Sequence, residues 1–300
     1  MKTVYLRLPA TSANLGPGFD AMALALGLFL EIDAVPASRF SIEATGRNAG
    51  VCADLTQNLL IQTFESVLVA EKKPVSPLKI HMRNGIPIGM GCGSSAATRL
   101  AGVALASAFG GLDWDVAQIV EYAARLEGHP DNVAACWHGG LSVVAGGERM
   151  SILSIPPPAG WGALVVFPEV PLSTTKARSA LPMAYPRQDV VSNLQAASLL
   201  TAAFALGRAD LMQIATRDRL HQPYRAHLCP LLPALLPLAG SQGVLSVTLS
   251  GAGPSVLLLT HQPADEAIKQ AIRERAEGLC LVDILAAELC REGAVMHCND

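Results

Sequence analysis

A segment rich in glycine and serine, PIGMGCGSSAAT at residues 87–98, has the composition of an anion-binding loop. Glycines let the main chain approach an anion closely, and unpaired N–H groups at the start of a helix attract negative charge. Ser94 and Ser95 add hydroxyl groups that could donate to an anion or serve as an oxygen ligand for Mg²⁺. The segment is neither GxxxxGK[ST], since no lysine follows, nor GxGxxG after the first strand of a dinucleotide-binding unit. Its glycines alone therefore fit two interpretations, a phosphate-binding loop and a turn before a core helix.

The elements around this segment place it between a strand and a helix. Residues 78–83, LKIHMR, are short and partly alternating as strands are, and residues 95–109 form a helical segment rich in small side chains. The other first-half predictions are strands at 3–9, 28–35 and 141–146, a helix at 55–72 capped by Asp54, and a helix from Asp115 to about Leu126. The first half is therefore predicted to mix α and β structure.

Three consecutive prolines at 156–158 stop any regular element and mark a domain boundary. The predicted domains are residues 1–155 and 156–300. In the second half, strands are predicted at 162–168, 244–250, 255–260 and 279–284, and helices at 188–206, 208–216, 230–239 and 263–277. Two strands joined by a loop, then a helix and a last strand, fit an α+β sandwich.

The composition favours a folded protein that binds a small molecule. Of the 300 residues, 51% are hydrophobic and 16% charged, enough apolar surface to build a core. The net charge of -3 and the dispersed Lys and Arg give no nucleic-acid footprint. The most apolar segment, residues 21–30, is half of the roughly 20 residues that a spanning helix needs, and the N-terminus lacks a signal-peptide core, so a cytoplasmic location is expected. Seven scattered cysteines without a CxxC or a Cys/His cluster indicate reduced thiols: Cys52, Cys92, Cys136, Cys229, Cys280, Cys290 and Cys298.

Two glycine-rich segments together resemble a known superfamily. PIGMGCGSSAAT resembles the second conserved motif of the GHMP small-molecule kinases, usually PxxxGLGSSAA, and VTLSGAGPSVLLL at 247–259 resembles their glycine-rich third motif. Three more segments are similar to signatures of the homoserine kinase family: RLPATSANLGPGFDAMALAL at 7–26, EGHPDNVA at 127–134 and LHQPYR at 220–225. Cys92 departs from the usual leucine, and this small apolar side chain should alter packing more than chemistry.

The resemblance implies a fold and an activity. The fold would be α+β, a two-domain GHMP kinase architecture with an N-terminal domain like domain 2 of ribosomal protein S5, including a left-handed βαβ unit, and a ferredoxin-like C-terminal domain. The active site would lie between the domains. The implied activity is ATP-dependent phosphorylation of the L-homoserine side-chain hydroxyl, giving O-phospho-L-homoserine and ADP in threonine biosynthesis. A homodimer is a further family-level expectation.

The resemblance also implies a role for particular residues. The implied ATP-binding residues are Asn58, Pro87, Ile88, Gly89, Met90, Gly91, Cys92, Gly93, Ser94, Ser95, Ala96, Ala97, Gly251 and Gly253. The implied homoserine-binding residues are Asn14, Asp20, Thr174, Arg178 and Arg225, and the catalytic group is His129, Asp131 and Asn132. Mg²⁺ would be held by Ser95 and by Glu121, which stands eight residues before His129. The alternative for Glu121 is an i,i+4 ion pair with Arg125 on an exposed helix face.

Residue chemistry agrees with an amino-acid substrate. An ammonium group needs an acidic partner, for which Asp20 is available, and a carboxylate favours arginines such as Arg178 and Arg225. This set fits an uncharged sugar poorly. Structural alternatives remain open, because Asp20 could form a turn, Asp131 and Asn132 could begin a helix, and Arg178 could be a solvated surface charge.

The implied mechanism leaves little covalent chemistry to the protein. Asn132 would orient the hydroxyl for in-line attack on the γ-phosphate, and Asp131 is assigned to orienting its neighbours rather than to proton abstraction. Two alternatives remain, a GHMP kinase for another small amino alcohol such as threonine and a non-catalytic ligand sensor on the same fold. The implied magnesium ligands argue against a sensor, and the lack of an early GxGxxG argues against a dehydrogenase.

Overall fold

The computed structural model describes residues 2–147, 149–261, 265–279 and 281–299. In chain order, the strands are β1 (Thr3–Asn14), β2 (Gly18–Pro36), β3 (Ser41–Gly46), β4 (Leu78–Asn84), β5 (Leu141–Ala145), β6 (Ser151–Ile155), β7 (Trp161–Pro168), β8 (Val244–Leu249), β9 (Val256–His261), β10 (Leu281–Glu288) and β11 (Val295–Asn299). The α-helices are α1 (Ala49–Ala53), α2 (Leu59–Ala70), α3 (Ser94–Gly110), α4 (Val116–Glu127), α5 (Asp131–His138), α6 (Thr174–Ser179), α7 (Arg187–Ala205), α8 (Met212–Ala215), α9 (Gln222–Arg225), α10 (Leu231–Leu235) and α11 (Glu266–Arg275). Short 3₁₀ turns span Ala209–Leu211, Ala226–Leu228 and Leu236–Leu238. Within these ranges, no helix is long and apolar enough to cross a membrane.

Seven of the described strands form the first sheet. Its main order is β11-β1-β2-β4-β3, with β5 pairing β2 and β6 joining β5. Among the described strands of this sheet, only β3 and β4 pair in parallel. Alternate side chains of β1, including Val4, Leu6 and Leu8, point into the core as a period of two requires. The sheet therefore provides a half-buried platform on which the first-half helices pack.

Beyond Pro9, β1 loses this alternation and is buried on both faces. Burial of the same kind covers residues 22–26 of β2, which lie between β1 and β5. Because both faces are covered, an apolar run replaces the alternating pattern in this part of the two strands. Only the alternating parts, 3–9 and 28–35, were therefore predicted as strands. The buried ends of β1 and β2 are joined by the turn at residues 15–17, whose carbonyl oxygens contact Asn193 and His221 in the second half of the chain.

Small residues on α3 let it pack closely in the first core. Gly102 lies against the main chain of Leu60 and the side chain of Thr63 on α2, where a Cβ atom would press on both. The helix is capped at its C-terminus by Gly111 in the left-handed conformation, φ 59°. The predicted helix at 95–109 is thus confirmed to within one residue at each end.

The second sheet has the order β10-β7-β9-β8, and all its pairs are antiparallel. Its strands follow a β-α-β-β-α-β course, in which α7 and α11 are the longer helices of the two connections. This is the ferredoxin-like arrangement. Buried residues of α10 and α11, such as Leu235 and Ile272, pack with Leu258 of β9 in a core of their own.

Three helix predictions need correction. The helix predicted at 55–72 begins at Leu59, because the side chain of Asn58 accepts from the N–H groups of Leu60 and Ile61. The amide of Asn58 also donates to Cys52 O and Asp54 O, which closes the preceding turn. Asp54 was predicted as the cap but accepts from Thr56 N in that turn instead. Both residues are good caps in principle, and the surrounding turn selects Asn58.

The second helix correction concerns residues 208–216, where a 3₁₀ turn leads into the four-residue α8. The segment at 230–239 is likewise short, α10 followed by a 3₁₀ turn, since Pro233 and Pro237 interrupt regular helix. By contrast, Asp115 caps α4 as predicted and forms a capping box with Gln118. The predicted helix at 263–277 is α11, but its first two predicted residues, like Cys280, lie outside the described residues.

The chain crosses from the first sheet to the second between Ile155 and Trp161, at the prolines. The C-terminus does not stay with the second sheet, because β11 returns to pair with β1, placing Met296 opposite Leu6. The predicted second domain, 156–300, therefore donates its last strand to the first sheet. The sequence near Cys298 carries little apolar alternation, which is why this edge strand was not predicted.

Candidate active site

A cavity of about 420 Å³ lies between the two halves of the chain. This volume is in the range of small-molecule sites. It is lined by the 13–20 turn, the 86–98 loop, residues 127–132, the start of α6, Arg225 and the 251–253 loop. All five sequence segments that resemble the kinase motifs thus contribute to one cavity.

The 87–98 loop has the geometry of an anion-binding turn. Gly89, Gly91 and Gly93 all have positive φ, at 72°, 71° and 68°. A Cβ atom at Gly91 would collide with Ser250 O, and one at Gly93 with the hydroxyl of Thr11. Gly93 is the N-cap of α3 and provides no side-chain acceptor, so the first N–H groups of a 17-residue helix are left for another acceptor. The turn is therefore both tightly packed and suited to a phosphate.

Hydrogen bonds lock the two glycine loops and the end of β1 together. Thr11 N donates to Cys92 O at 3.1 Å, and Gly251 N donates to Ala13 O at 3.1 Å. The hydroxyl of Ser250 lies 2.7 Å from Gly91 O. Because these bonds join segments from both halves of the chain, the loop cannot move independently of the 250–254 loop.

Most of the predicted nucleotide-binding residues line the cavity, but four do not. Those that line it are Asn58, Ile88, Gly89, Gly91, Cys92, Gly93, Ser94, Ser95, Gly251 and Gly253. Those that do not are Pro87, Met90, Ala96 and Ala97. The two alanines are fully buried because their side of α3 faces the core, and Met90 packs against the same core. The Cys92 side chain is 1% exposed, and burial raises the pKa of its thiol to about 12, so it is an inert packing group.

Of the two predicted magnesium ligands, Ser95 lines the cavity and Glu121 does not, and their role in holding a metal stays a prediction. Glu121 accepts from Met150 N at 3.3 Å and does not line the cavity. Glu127 does line it, and the Ser95 hydroxyl donates to its Oε2 at 2.8 Å. Six residues along α4 turn the side chain by about 120° relative to its starting direction, so the two glutamates face different surroundings. The available signal was that Glu127, unlike Glu121, stands inside the EGHPDNVA string.

Ser95 and Glu127 fit a magnesium site that is completed by a nucleotide. Both supply hard oxygen ligands, and Glu127 is balanced by Arg99, whose Nε lies 2.8 Å from Oε2. No group of three or more His, Cys, Asp or Glu in the described ranges could hold a metal by itself. A metal here would therefore depend on phosphate oxygens and water. The ion pair suggested for Glu121 and Arg125 is replaced by a contact of Arg125 with the ring of Tyr122, 5.1 Å from its centroid.

The start of α5 holds His129, Asp131 and Asn132 at the cavity wall. Asp131 Oδ1 lies 3.0 Å from His129 Nδ1 and accepts from Asn132 N at 2.7 Å. The bond to Asp131 raises the pKa of His129, against the effect of burial. Asp131 is thus occupied in holding its two neighbours.

Thr11 is a site residue that the sequence analysis missed. Its hydroxyl donates to Asn132 Oδ1 at 2.7 Å, and the threonine is fully buried. With the amide oxygen engaged, the Nδ2 group of Asn132 is the part left to face a ligand. Thr11 belongs to the RLPATSANLG string, so its position there was the available signal.

Asp20 and Arg178 are brought together across the two halves of the chain. Arg178 donates to both carboxylate oxygens of Asp20, at 3.0 and 2.6 Å. Asp20 has a positive φ of 55°, and its N–H donates to Asn14 Oδ1 at 3.0 Å. Asn14 in turn donates to Gly251 O at 2.8 Å. The pair with Asp20 raises the pKa of Arg178, which lines the cavity and is not a lone solvated charge.

Thr174 begins α6 and lines the cavity one helical turn before Arg178. The preceding Ser173 caps this helix by accepting from Lys176 N. The short helix therefore presents both predicted substrate residues to the cavity.

Arg225 is a buried cation that lacks a carboxylate partner in the described residues. It is 1% exposed and lines the cavity. Its Nε donates to Ala177 O at 3.0 Å, and Nη1 lies 3.1 Å from His221 Nδ1. Burial lowers the pKa of Arg225, since removing this charge from water is costly. The ring of Phe19 lies 5.4 Å from the Cζ of both Arg178 and Arg225, and this second missed residue adds a cation–π contact.

Comparison with known proteins agrees with this geometry. Residues 58–140 match the GHMP kinases N terminal domain, and residues 200–278 match the GHMP kinases C terminal model. A homoserine kinase of Solibacter usitatus (strain Ellin6076) is 41% identical over 274 residues, covering 90% of each chain. A homoserine kinase of Moorella thermoacetica is 38% identical over 294 residues, covering 97% of this chain and 99% of the relative.

A solved structure from Listeria monocytogenes, described as a homoserine kinase, superposes with a TM-score of 0.78. It is 30% identical and covers 98% of this chain and 99% of its own. The α+β GHMP architecture expected from the sequence is confirmed by these matches. Since sequence and fold agree over nearly the whole length, this chain belongs to the homoserine kinase family of the GHMP kinases.

Proposed function

We propose that this chain transfers the γ-phosphate of ATP to the side-chain hydroxyl of L-homoserine, giving O-phospho-L-homoserine and ADP in threonine biosynthesis. The observation that carries the proposal is that one cavity holds both the uncapped start of α3 and Arg225, a buried guanidinium without a carboxylate partner among the described residues. The first feature suits a phosphate and the second suits a carboxylate. Relatives named homoserine kinase cover nine tenths of the chain, which supports the same activity.

The charges of the cavity match the two ends of an amino acid. The substrate carboxylate would supply the counterion of Arg225, with Arg178 as a second donor. The substrate ammonium would bind Asp20, whose main chain is fixed by its N–H bond to Asn14 and whose carboxylate is held by Arg178. Thr174 lies at the same wall and offers a hydroxyl.

The nucleotide end is built from main chain and two oxygen ligands. The N–H groups of the 89–95 segment would bind the triphosphate, and Asn58 lines the same cavity. Ser95 and Glu127 would hold Mg²⁺, which neutralises charge on the phosphates when bound. Enzymes of this kinase family use ATP, so this part of the cavity is assigned to it.

The catalytic step would depend on positioning. Thr11 holds the amide oxygen of Asn132, so that Nδ2 can donate to the reacting oxygens. Asp131 is engaged by His129 and by the main chain of Asn132, which supports an orienting role rather than proton abstraction. The 420 Å³ cavity would limit water around the transferred phosphoryl group.

An ADP-release assay with Mg-ATP tests the proposal directly. Homoserine, threonine, serine and mevalonate serve as acceptors, and the highest kcat/KM is expected for homoserine. A panel in which homoserine shows no turnover would contradict the proposal, and a clear preference for threonine would reassign the acceptor. The cytoplasmic location expected from the sequence and the homodimer expected from the resemblance stay predictions for localisation and light-scattering experiments.

A further inference from the structure

His221 is a fully buried histidine that the proposed chemistry does not use. It stands one helical turn before Arg225 in the LHQPYR string and is 0% exposed. Its Nε2 lies 2.8 Å from Gly16 O, and its Nδ1 lies 3.1 Å from Arg225 Nη1. Each ring nitrogen therefore has a partner from a different part of the active-site wall.

These two partners assign the protonation state of the ring. The carbonyl of Gly16 can only accept, so Nε2 must carry a proton and donate to it. The guanidinium of Arg225 can only donate, so Nδ1 must be unprotonated and accept. A second ring proton would set two donors against each other in a buried site. The imidazole is therefore neutral and protonated at Nε2.

Surrounding groups are consistent with this state and hold the ring in place. Burial lowers the pKa of His221, and the nearby carboxylate of Asp218 only partly offsets it. Asp218 also accepts from the N–H groups of Leu220, His221 and Gln222, which fixes the main chain of this turn. The ring of Phe19 stacks on the imidazole with centroids 5.4 Å apart.

The orientation of Arg225 follows from these contacts. Its Nε–H donates to Ala177 O and one Nη1–H donates to His221, so two of five N–H donors define the plane of the guanidinium. The remaining three have no hydrogen-bond partner among the described residues and can bind an anion in the cavity. Through Gly16 O, the same imidazole ties this arginine to the turn that carries Asp20.

We infer that His221 is a positioning residue, whose neutral Nε2–H imidazole aims the guanidinium of Arg225 at the substrate carboxylate. The inference rests on the proposed function, in which Arg225 binds the carboxylate of homoserine. It goes beyond that function because His221 itself does not line the cavity.

Two substitutions each remove one of the two hydrogen bonds of the imidazole and keep the other. In His221→Asn, the amide oxygen takes approximately the place of Nδ1 and can still accept from Arg225, while the bond to Gly16 O is lost. In His221→Gln, the amide nitrogen takes approximately the place of Nε2 and can donate to Gly16 O, while the acceptor for Arg225 is lost. Each variant loses one buried hydrogen bond, so similar losses of thermal stability are expected and provide the matched control.

The expected result is a difference in substrate KM between the two variants. His221→Gln should raise the KM for homoserine by about ten- to a hundredfold and leave the KM for ATP nearly unchanged, since a hydrogen bond to a charged group is lost. His221→Asn should stay within about threefold of the wild-type KM for homoserine. Equal KM values in the two variants would overturn the inference, because a merely structural role would not distinguish them.

A two-bond ¹H–¹⁵N spectrum of the wild-type protein tests the assignment without any variant. His221 should show a protonated Nε2 and an unprotonated Nδ1, and an imidazolium or an Nδ1–H form would overturn the inference. Wild-type turnover of homoserine is measured in parallel and tests the proposed function by itself. If the wild-type protein showed the Nε2–H signature but did not phosphorylate homoserine, the proposed substrate would be wrong. The assigned hydrogen bonds of His221 would still stand.

Discussion

Glu127 is the carboxylate that contacts the Ser95 hydroxyl, and the proposed magnesium site is built on this pair. Its Oε2 lies 2.8 Å from the Ser95 hydroxyl, and its side chain is nearly buried beside Arg99. Glu121, six residues earlier, is instead used to accept from Met150 N. Glu121 and Glu127 are chemically identical. At the residue scale, the direction in which each side chain leaves α4 decides that Glu127 contacts Ser95 and Glu121 does not.

Substitution of the two glutamates tests this assignment. Glu127→Gln should lower kcat/KM with Mg-ATP by about a hundredfold or more, because neutralising a metal ligand removes several kcal/mol of charge stabilisation. Glu121→Gln is the matched control, and its amide oxygen still accepts from Met150 N, so near-normal activity is expected. The measurement is a titration of turnover with MgCl₂ in both variants. Loss of magnesium-dependent turnover in Glu121→Gln alone would restore the original assignment.

Thr11 controls which end of the Asn132 amide faces the cavity. Thr11→Val keeps the shape but removes the hydroxyl that donates to Asn132 Oδ1, leaving the amide free to rotate. A fall in kcat of about ten- to a hundredfold is expected, with little change in the KM for homoserine. Thr11→Ser keeps the hydroxyl and should retain most of the wild-type kcat. Equal kcat values in the valine and serine variants would show that this hydrogen bond does not orient the amide.

At the scale of elements, the loop that leads into α3 is held in place by direct contact with the second glycine loop. Gly91 has φ 71°, and its α-carbon faces the carbonyl of Ser250 so closely that a side chain has no room. The main chains of the 87–98 and 250–254 loops therefore meet directly, and the Ser250 hydroxyl bonds to Gly91 O. Glycine is required here for close approach as well as for its backbone conformation.

A comparison of Gly91→Ala with Gly111→Ala should distinguish the need for close approach of the loops from the need for a positive φ. Gly111 also has a positive φ, 59°, but nothing lies within 4 Å of the position its Cβ would take. Gly111→Ala should therefore cost only the backbone penalty, roughly 1–2 kcal/mol, with normal kinetics. Gly91→Ala should lower the free energy of unfolding further and raise the KM for ATP, because the loops must move apart. Urea unfolding and steady-state kinetics provide the comparison, and equal behaviour of the two variants would argue against the loop contact.

At the scale of the whole molecule, the C-terminal strand joins the two halves. β11 follows the last strand of the second sheet but pairs with β1 over five positions, from Thr3↔Asn299 to Arg7↔Val295. It covers the edge that β1 would otherwise expose to solvent and to other chains. The halves are thus linked by this strand as well as by the shared cavity.

A chain that ends at Ala294 should be less stable but catalytically intact. Removal of β11 eliminates its pairing with β1 and the packing of Met296 on the core, so the free energy of unfolding should fall by about 1–3 kcal/mol. The strand does not line the cavity, and kcat/KM for homoserine should be retained at temperatures where the protein is folded. A chain that ends at Cys298 keeps four of the five pairs and serves as the control. An unchanged urea midpoint in the shorter chain would mean that β11 adds nothing to stability.

Local elements were largely predictable from the sequence, because their signals lie within a few residues. The strand at Leu78–Asn84 and the helix at Ser94–Gly110 follow from hydrophobic spacing, and Asp115 caps α4 as expected. The choice of Asn58 over Asp54 as the cap of α2 was not predictable, since both side chains have suitable acceptors. β11 was also missed, because an edge strand needs little apolar alternation and its partner lies at the other end of the chain.

The sequence by itself determined the family, the order of the motifs and the residue types that can bind phosphate and an amino acid, because a glycine loop or a hydrophobic period is a property of neighbouring residues. Tertiary structure alone decided which glutamate meets Ser95, 32 residues away, and that Asp20 pairs with Arg178 at a separation of 158 residues. It also left Arg225 buried without a carboxylate partner in the described residues and beside His221. Such contacts depend on how elements from the two halves pack, and no local pattern encodes the direction in which each side chain then points.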